Sequence, residues 1–450
     1  MTAGCLRGKI PQRFFSLADK AQLAPDACFG TLDKGVPRVF VMQPIRLGGE
    51  LGFLLTGKDE GGEKMAFYHR MGEVPKKRHT TFYKPNGELY REQVMGTKGF
   101  SGIQSILYHH NPPTQVRETR KYADVRLEFV EQENLKHQHF QTFNLEPGGD
   151  PIFGRKYLMG NNDVVMGVCA PTEPMDYFYR NADGDEVVFV HQGEGELQTI
   201  FGTLAYKPGD YLVIPIGTTY RIMPSVQSRF LVIESQNEIV PPKRFRNEHG
   251  QLLEHSPFCE RDIRVPEKLE THVESGDFEV RVKRQSVVYS YFFDFHPFDV
   301  VGWDGYLYPY ALSIHDFEPI TGRIHQPPPV HQTFAGQNFV ICSFVPRMYD
   351  YHPDAIPAPY FHSNVESDEV LYYVEGNFMS RKGIFEGSIT LHPMGIPHGP
   401  HPGKAEASIG KKETKELAVM LDTFHPLRVT REALPIEDGA YMSSWMPPRE

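Results

Sequence analysis

The chain has 450 residues, of which 40% are hydrophobic and 23% charged, a composition typical of a globular protein with a sizeable core. The net charge of −10 argues against a nucleic-acid surface. There is no apolar run of about 18 residues, and the N-terminus lacks the apolar core of a signal peptide, so we expect a cytoplasmic protein with no membrane span. The five scattered cysteines, without CxxC spacing, favour reduced thiols over a disulfide framework or a zinc site.

The first part of the chain, residues 1–145, alternates short apolar runs with polar turns. This pattern predicts an N-terminal β-rich region. His137 and His139 form an HxH pair, but no carboxylate follows at a useful spacing. We therefore expect these two histidines to lie at the surface or in a turn.

An internal repeat follows this region. Residues 179–193 resemble residues 362–376: both segments carry Asn at the third position, then Asp-Glu-Val, and both end in Gly. Further along, both copies have a glycine and a proline separated by five residues. Five positions after that proline stands Tyr220 in the first copy and His398 in the second. The repeat predicts two copies of one supersecondary unit, each built from strands joined by glycine- and proline-marked turns.

The second copy resembles the cupin superfamily, whose motif has six residues between a metal-binding Glu and a Gly, and places a ligand His after a later Pro. This resemblance implies a mainly β fold, a bicupin with two jelly-roll β-barrels that follow the N-terminal β-rich region. We expect a degenerate metal-free barrel in residues 146–270, because tyrosines stand there at the histidine positions. A catalytic metal-binding barrel with a C-terminal tail is expected in residues 271–450.

His362, Glu369 and His398 form the candidate metal set of the second copy. Two imidazoles and one carboxylate favour Fe(II) and leave coordination positions open for a substrate and O2, although zinc or manganese is also compatible with these ligands. Asn364 stands where many cupins have a further histidine. We therefore expect three protein ligands in place of four.

Several segments resemble the homogentisate 1,2-dioxygenase family, in a divergent bacterial form. The family's Pro-Pro-Tyr-Tyr-His-Arg-Asn is similar to residues 358–364, and its Ser-Leu-His and Pro-His-Gly-Pro are similar to parts of residues 390–400. Its Pro-Phe-Asn-Val-Val-Ala-Trp is similar to residues 297–303. The resemblance implies an Fe(II)-dependent extradiol-type dioxygenase that converts homogentisate and O2 to maleylacetoacetate in tyrosine and phenylalanine catabolism. It also implies a homo-oligomer, trimer or hexamer.

The same resemblance implies roles for further residues. The family's histidine base matches His325 best, with His315 and His331 as weaker candidates. Residues expected to bind the substrate are Tyr360, His392, His331 and Arg347. An arginine of the family pattern is absent and Phe378 replaces a pocket tyrosine, so the cation for the substrate carboxylate is expected to be Arg347 or Arg323.

Other functions remain open on the sequence alone. A bicupin of this kind could cleave another hydroxylated aromatic acid such as gentisate, or act as a metal-dependent sugar or keto-acid isomerase. A non-catalytic binding or storage bicupin is the third alternative. Oxygen consumption separates a dioxygenase from an isomerase, and a metal analysis tests the non-catalytic alternative.

Overall fold

In the computed structural model of the chain, residues 67–358, 360–376 and 383–446 are described in full, together with the backbone of three earlier strands. Phe378 lies outside the described residues. The chain divides into two compact units, Met1–Gly62 and Glu63–Glu450. The first unit contains an antiparallel sheet with the strand order β1 (Ala27–Gly30), β2 (Arg38–Leu47) and β3 (Glu50–Gly57).

The predicted fold class is confirmed, because strands make up 42% of the structure and helices only 9%. The strands of the second unit, in chain order, are β4 (His69–Gly72), β5 (Arg91–Gly96), β6 (Gln104–His109), β7 (Glu118–Asp124), β8 (Gln138–Gln141), β9 (Lys156–Gly160), β10 (Val164–Cys169), β11 (Phe178–Asn181), β12 (Glu186–Gln192), β13 (Gly195–Thr199), β14 (Gly202–Tyr206), β15 (Asp210–Ile214), β16 (Thr219–Pro224), β17 (Arg229–Ser235), β18 (Ile263–Arg264), β19 (Ser275–Arg284), β20 (Val287–Phe295), β21 (Val300–Gly305), β22 (Tyr310–Ser313), β23 (Gln332–Gly336), β24 (Phe339–Phe344), β25 (Arg347–Met348), β26 (Asp368–Glu375), β27 (Ser388–His392), β28 (Glu413–Thr414), β29 (Leu417–Thr423) and β30 (Arg428–Val429).

Within the described residues, helical structure is limited to short segments. These are one α-helix, α1 (Lys404–Ser408), and 3-10 turns at Lys98–Phe100, Thr142–Asn144, Lys243–Phe245, Glu260–Asp262, Ile314–Asp316, Pro328–His331, Arg431–Ile436 and Tyr441–Trp445. Among the described residues, no helix has the length and apolar character needed to cross a bilayer.

Two large sheets form around the first copy of the repeat, residues 179–220. One has the strand order β18-β22-β15-β12-β17-β10-β9-β30, and the other has the order β14-β13-β16-β11-β19-β20-β7. Apolar side chains of both sheets, such as Val188 of β12 and Leu197 of β13, belong to one buried cluster. The two sheets therefore pack on each other as the layers of a jelly roll do.

The second copy of the repeat, residues 362–398, lies on a six-stranded sheet with the order β23-β24-β29-β26-β27-β8. This sheet packs against the eight-stranded sheet: Val187 and Phe189 of β12 share a buried cluster with Val370 and Tyr372 of β26. Because successive residues of a strand face opposite sides of a sheet, β12 is buried on both faces. This double burial explains why its sequence is apolar without alternation.

The strand register confirms the internal repeat. In the first copy, Tyr179 of β11 pairs with Tyr220 of β16. In the second copy, His362 and His398 form an antiparallel bridge in the same way. Residues separated by about 40 positions in sequence are thus brought side by side because the same pairing is made twice.

The acidic residue of each copy also occupies an equivalent place. Glu186 of β12 lies opposite Glu234 of β17, and Glu369 of β26 lies opposite Asp422 of β29. Each copy therefore places two carboxylates side by side on neighbouring central strands. The limits predicted for the barrels, at residues 145 and 270, stay a prediction. Two strand pairs cross these limits: β8 pairs with β27, and β19 pairs with β11.

Candidate metal centre and cavity

Glu369 is presented to the centre by strand geometry. It lies near the start of β26, and Leu371 and Tyr373 follow it on the same face at two-residue intervals. Those two side chains line a cavity together with Glu369. His362 and His398 reach the same place because each donates its backbone N–H to the carbonyl of the other, at 2.8 Å in both directions.

The three predicted ligands converge. His362 Nε2 lies 3.7 Å from Glu369 Oε2, and His398 Nε2 lies 3.4 Å from Glu369 Oε1. One ligand atom from each residue lies within 4.8 Å of the others. Such spacing lets all three atoms contact a single ion at about 2.0–2.2 Å with little movement.

The state of the two histidines fits a metal ligand set. Neither ring nitrogen of His398 has a hydrogen-bond partner, although the side chain is buried, and His362 Nδ1 is also unpartnered. A buried polar atom without a partner costs about 1–3 kcal/mol. A metal ion bound by the Nε2 atoms would satisfy part of this deficit. The donor set therefore fits a transition-metal ion of the kind predicted.

Glu369 is held as a carboxylate by its surroundings. Burial opposes ionisation, but the imidazoles of His362, His392 and His398 hold the pKa of Glu369 well below its usual range. His392 Nδ1 lies 2.8 Å from Glu369 Oε1, and Tyr441 Oη lies 3.2 Å from His392 Nε2. The chain Tyr441–His392–Glu369 fixes one oxygen of the carboxylate and leaves the other turned to His362.

A cavity of about 230 Å³ opens on this centre. A cavity of roughly 150 Å³ is enough to hold a benzene ring. Its walls are largely apolar and include Phe344, Leu371 and Met420. The cavity is therefore suited to an aromatic ring held beside the metal centre.

His325, the predicted base, lines this cavity with two hydrogen-bond partners. Tyr360 Oη lies 2.9 Å from His325 Nε2, and His325 Nδ1 lies 3.1 Å from Asp350 Oδ2. Burial is the main cause that raises the pKa of Tyr360, with Glu369 and Asp350 adding to it. The phenol therefore stays protonated and donates to Nε2, which leaves Nδ1–H to donate to Asp350.

His331 and Arg347 also line the cavity, as predicted for substrate-binding residues. His331 is buried; this burial, with Arg347 and His325 nearby, lowers its pKa to about 3. Arg347 Nη2 donates to Glu416 Oε1 at 2.9 Å. The cavity thus carries a neutral imidazole and an arginine already paired with a carboxylate.

Four predicted residues are not part of the cavity wall, and one of them is the candidate ligand His398, whose ring centroid lies 4.2 Å from that of His362. His392 is fully buried behind Glu369, while His315 and Arg323 are exposed; none of these three belongs to the cavity wall. His392 contacts the candidate ligand Glu369 and does not reach the cavity. Among the candidates for the base, only His325 and His331 face it.

The expectation for the HxH pair was wrong. His137 and His139 are buried, and the ring of His137 lies 5.3 Å from that of His392 and 5.8 Å from that of His398. His139 belongs to β8, which adds to the edge of the six-stranded sheet beside β27, and His137 directly precedes this strand. The HxH alternation was itself the signal of this strand, but its partner strand lies about 250 residues away.

The first copy of the repeat has a different centre. Arg155 is buried and donates to Glu186 at 2.6 Å and to Glu234 at 2.7 Å. Tyr220 Oη donates to the other oxygen of Glu186 at 2.6 Å. A guanidinium and a phenol thus occupy the region where the second copy has histidines.

The fold and the site together define a mainly β protein of cupin type with a candidate His–Glu–His metal centre. Residues 69–314 match the family model for the N-terminal part of homogentisate 1,2-dioxygenase, and residues 312–450 match the model for its C-terminal part. The chain belongs to the homogentisate 1,2-dioxygenase family. This is a metal-dependent family, and its members are enzymes of the homogentisate dioxygenase type.

Individual relatives are consistent with the family. The chain is 44% identical over 384 residues to a protein of Saccharolobus solfataricus with the provisional name dioxygenase, over 85% of this chain and 99% of that protein. It is 30% identical over 280 residues to a homogentisate 1,2-dioxygenase of Nitrobacter hamburgensis, over 58% of this chain and 60% of that protein. A solved cupin 2 conserved barrel domain protein from Leptotrichia buccalis aligns with 67% of this chain and 100% of its own, with 11% identity and a TM-score of 0.29.

Proposed function

We propose that the protein is an Fe(II)-dependent dioxygenase that opens a dihydroxylated aromatic ring, with homogentisate and O2 to maleylacetoacetate as the reference reaction. The observation that carries the proposal is the convergence of His362, Glu369 and His398 beside a ring-sized cavity of about 230 Å³, whose wall includes His362 and Glu369. In this proposal the reaction belongs to tyrosine and phenylalanine catabolism. The cytoplasmic location and a trimeric or hexameric assembly stay predictions.

Binding of the ring is the first step. Leu371 and Met420 offer apolar contacts on the face that also carries Glu369, so that a ring between them would present its hydroxyl groups to the metal centre. A bound Fe(II) would bring the phenolic oxygen and O2 together and carry electrons from the ring to oxygen. Much of the gain is then proximity, because both reactants are held in one orientation.

Removal of a phenolic proton is the second step. His325 Nε2 faces the cavity and accepts from Tyr360, which is adjacent to the ligand segment. In the complex, Nε2 would take the proton of a substrate hydroxyl directly or through Tyr360. Asp350 would hold the resulting imidazolium through Nδ1–H.

The direct test is anaerobic loading of the purified chain with Fe(II), followed by oxygen uptake with homogentisate, gentisate and no substrate. We expect uptake of one O2 per ring with a hydroquinone-type substrate and none without it. His362→Ala and His398→Ala should lose bound iron and activity together. His325→Gln should keep its iron and lose turnover by about 10²–10⁴-fold. Full activity in an iron-free variant, or isomerisation without oxygen uptake, would refute the proposal.

A further inference from the structure

The cavity holds a permanent positive charge that is already neutralised. Among the described residues that line it, Arg347 is the only arginine or lysine. Its Nη2 donates to Glu416 Oε1 at 2.9 Å and its Nη1 donates to the Val345 carbonyl at 3.1 Å. Both charged side chains are mostly buried, with 14% and 18% of their surface exposed. This ion pair is therefore shielded from salt and water.

The other ionisable groups of the cavity wall leave the neutralisation of Arg347 by Glu416 unchanged. Asp350 is engaged with His325, and Glu369 faces the two ligand histidines. His331 is buried beside Phe344, with ring centroids 4.4 Å apart. Arg347 stacks its guanidinium on the same ring, 5.3 Å from the centroid. Arg347 and Glu416 therefore act as one polar spot beside Phe344 on the cavity wall.

A substrate carboxylate bound here would contact both Arg347 and Glu416. It would gain hydrogen bonds from Arg347 only by approaching the carboxylate of Glu416 or by displacing it, and a displaced Glu416 would remain buried without its partner. An uncharged group that both donates and accepts avoids this conflict. It can accept from Arg347 and donate to Glu416 while their ion pair stays intact.

We propose that the cavity selects a dihydroxylated ring whose side chain ends in an uncharged group with both a donor and an acceptor, a primary carboxamide being the simplest. Glu416 is then a specificity-determining residue that disfavours the corresponding acid. This inference rests on the proposed function for the chemistry of the ring, and it makes the amide, in place of homogentisate itself, the preferred substrate. It replaces the expectation that Arg347 clamps a carboxylate.

The experiment compares three compounds that differ only at the side-chain end: 2,5-dihydroxyphenylacetamide, 2,5-dihydroxyphenylacetate and the methyl ester. The Fe(II)-loaded full chain is used, and kcat/KM is measured by oxygen uptake. We expect the amide to exceed the acid at least tenfold and to exceed the ester, which accepts but cannot donate. Turnover of the acid at or above the rate of the amide overturns the inference and leaves the proposed function standing.

Two variants locate the effect. Glu416→Gln keeps the size of the side chain and frees the charge of Arg347, so the ratio of acid to amide should rise at least tenfold. Glu413→Gln removes an exposed carboxylate from the neighbouring strand β28 and should leave that ratio unchanged. An unchanged ratio in Glu416→Gln overturns the role of Glu416, and the wild-type comparison needs no variant to fold.

Anaerobic calorimetry separates the two proposals. If none of the three compounds drives oxygen uptake, the proposed function is refuted, and the ratio of the dissociation constants for amide and acid still decides the selectivity. Tighter binding of the amide by at least tenfold supports the inference. Equal or tighter binding of the acid overturns it.

Discussion

Arg155 Nη1 lies 2.6 Å from Glu186 Oε1, in the first repeat's counterpart of the metal centre. Glu186 occupies the register position that Glu369 occupies in the second repeat. A buried carboxylate needs a positive partner. The first repeat meets this need with a guanidinium, whereas the second has two histidines placed to hold a metal ion. The first repeat, which lacks the two histidines, thus has the buried guanidinium of Arg155 beside its glutamate.

Removal of this cation should destabilise the protein without touching the cavity. Arg155→Met would leave Glu186 and Glu234 buried as neighbouring carboxylates, with Lys283 as the cation that still contacts Glu234. Breaking a buried pair in this way costs about 3–5 kcal/mol. We expect a clear fall in melting temperature, measured by calorimetry.

The matched control for this prediction is the next residue. Lys156 pairs with Glu432 at 3.4 Å, and both side chains are about half exposed. Lys156→Met should therefore change stability by about 1 kcal/mol or less. Equal effects of the two substitutions would mean that the buried cluster does not stabilise the first repeat.

His392 should act on metal affinity through Glu369. His392→Leu removes the 2.8 Å contact to Glu369 Oε1 and leaves the three ligands in place. Loss of a group that orients a metal ligand typically lowers affinity by about 10–100-fold. Chelator competition against the Fe(II)-loaded protein measures this, and His392→Asn should restore part of the loss because its amide can still donate. His315→Leu, on the exposed side of the chain, should have no effect; an unchanged affinity in His392→Leu would contradict the prediction.

Much of the site could be predicted because the candidate ligands belong to short local sequence motifs. The spacing around Glu369 and the repeated segment point to the three candidate ligands, since strand alternation and tight turns convert sequence spacing into geometry. The partners of those ligands could not be found in this way. His137, whose ring lies 5.8 Å from that of His398, directly precedes β8, which pairs with β27 across about 250 residues, and Glu416 meets Arg347 across 69 residues. No local pattern encodes such long-range contacts.

The buried His331 should make stability depend on pH. Its folded-state pKa of about 3 lies below the value of about 6.5 expected for the unfolded chain, so the unfolded state takes up the proton first as the pH falls. Protonation of this residue in the unfolded chain therefore lowers the free energy of unfolding progressively as the pH falls from about 6.5 to 3. Between pH 7.5 and pH 5.5 its contribution is about 1.4 kcal/mol. His331→Asn should reduce the loss of unfolding free energy over that interval by about this amount, and an unaltered pH dependence would show that His331 is protonated in the folded state.

Asp350 should matter only through His325. The carboxylate lies 3.1 Å from His325 Nδ1 and has 17% of its side chain exposed, so it can orient the imidazole and stabilise its charged form. Asp350→Asn should lower kcat more than it raises KM, keep bound iron, and cost less than the loss of about 10²–10⁴-fold expected for His325→Gln. Because residues that act as one unit are not additive, the double variant should be no slower than His325→Gln alone. Asp354→Asn, whose side chain is 91% exposed, is the matched control. Additive losses in the double variant would show that Asp350 acts on the reaction independently of His325.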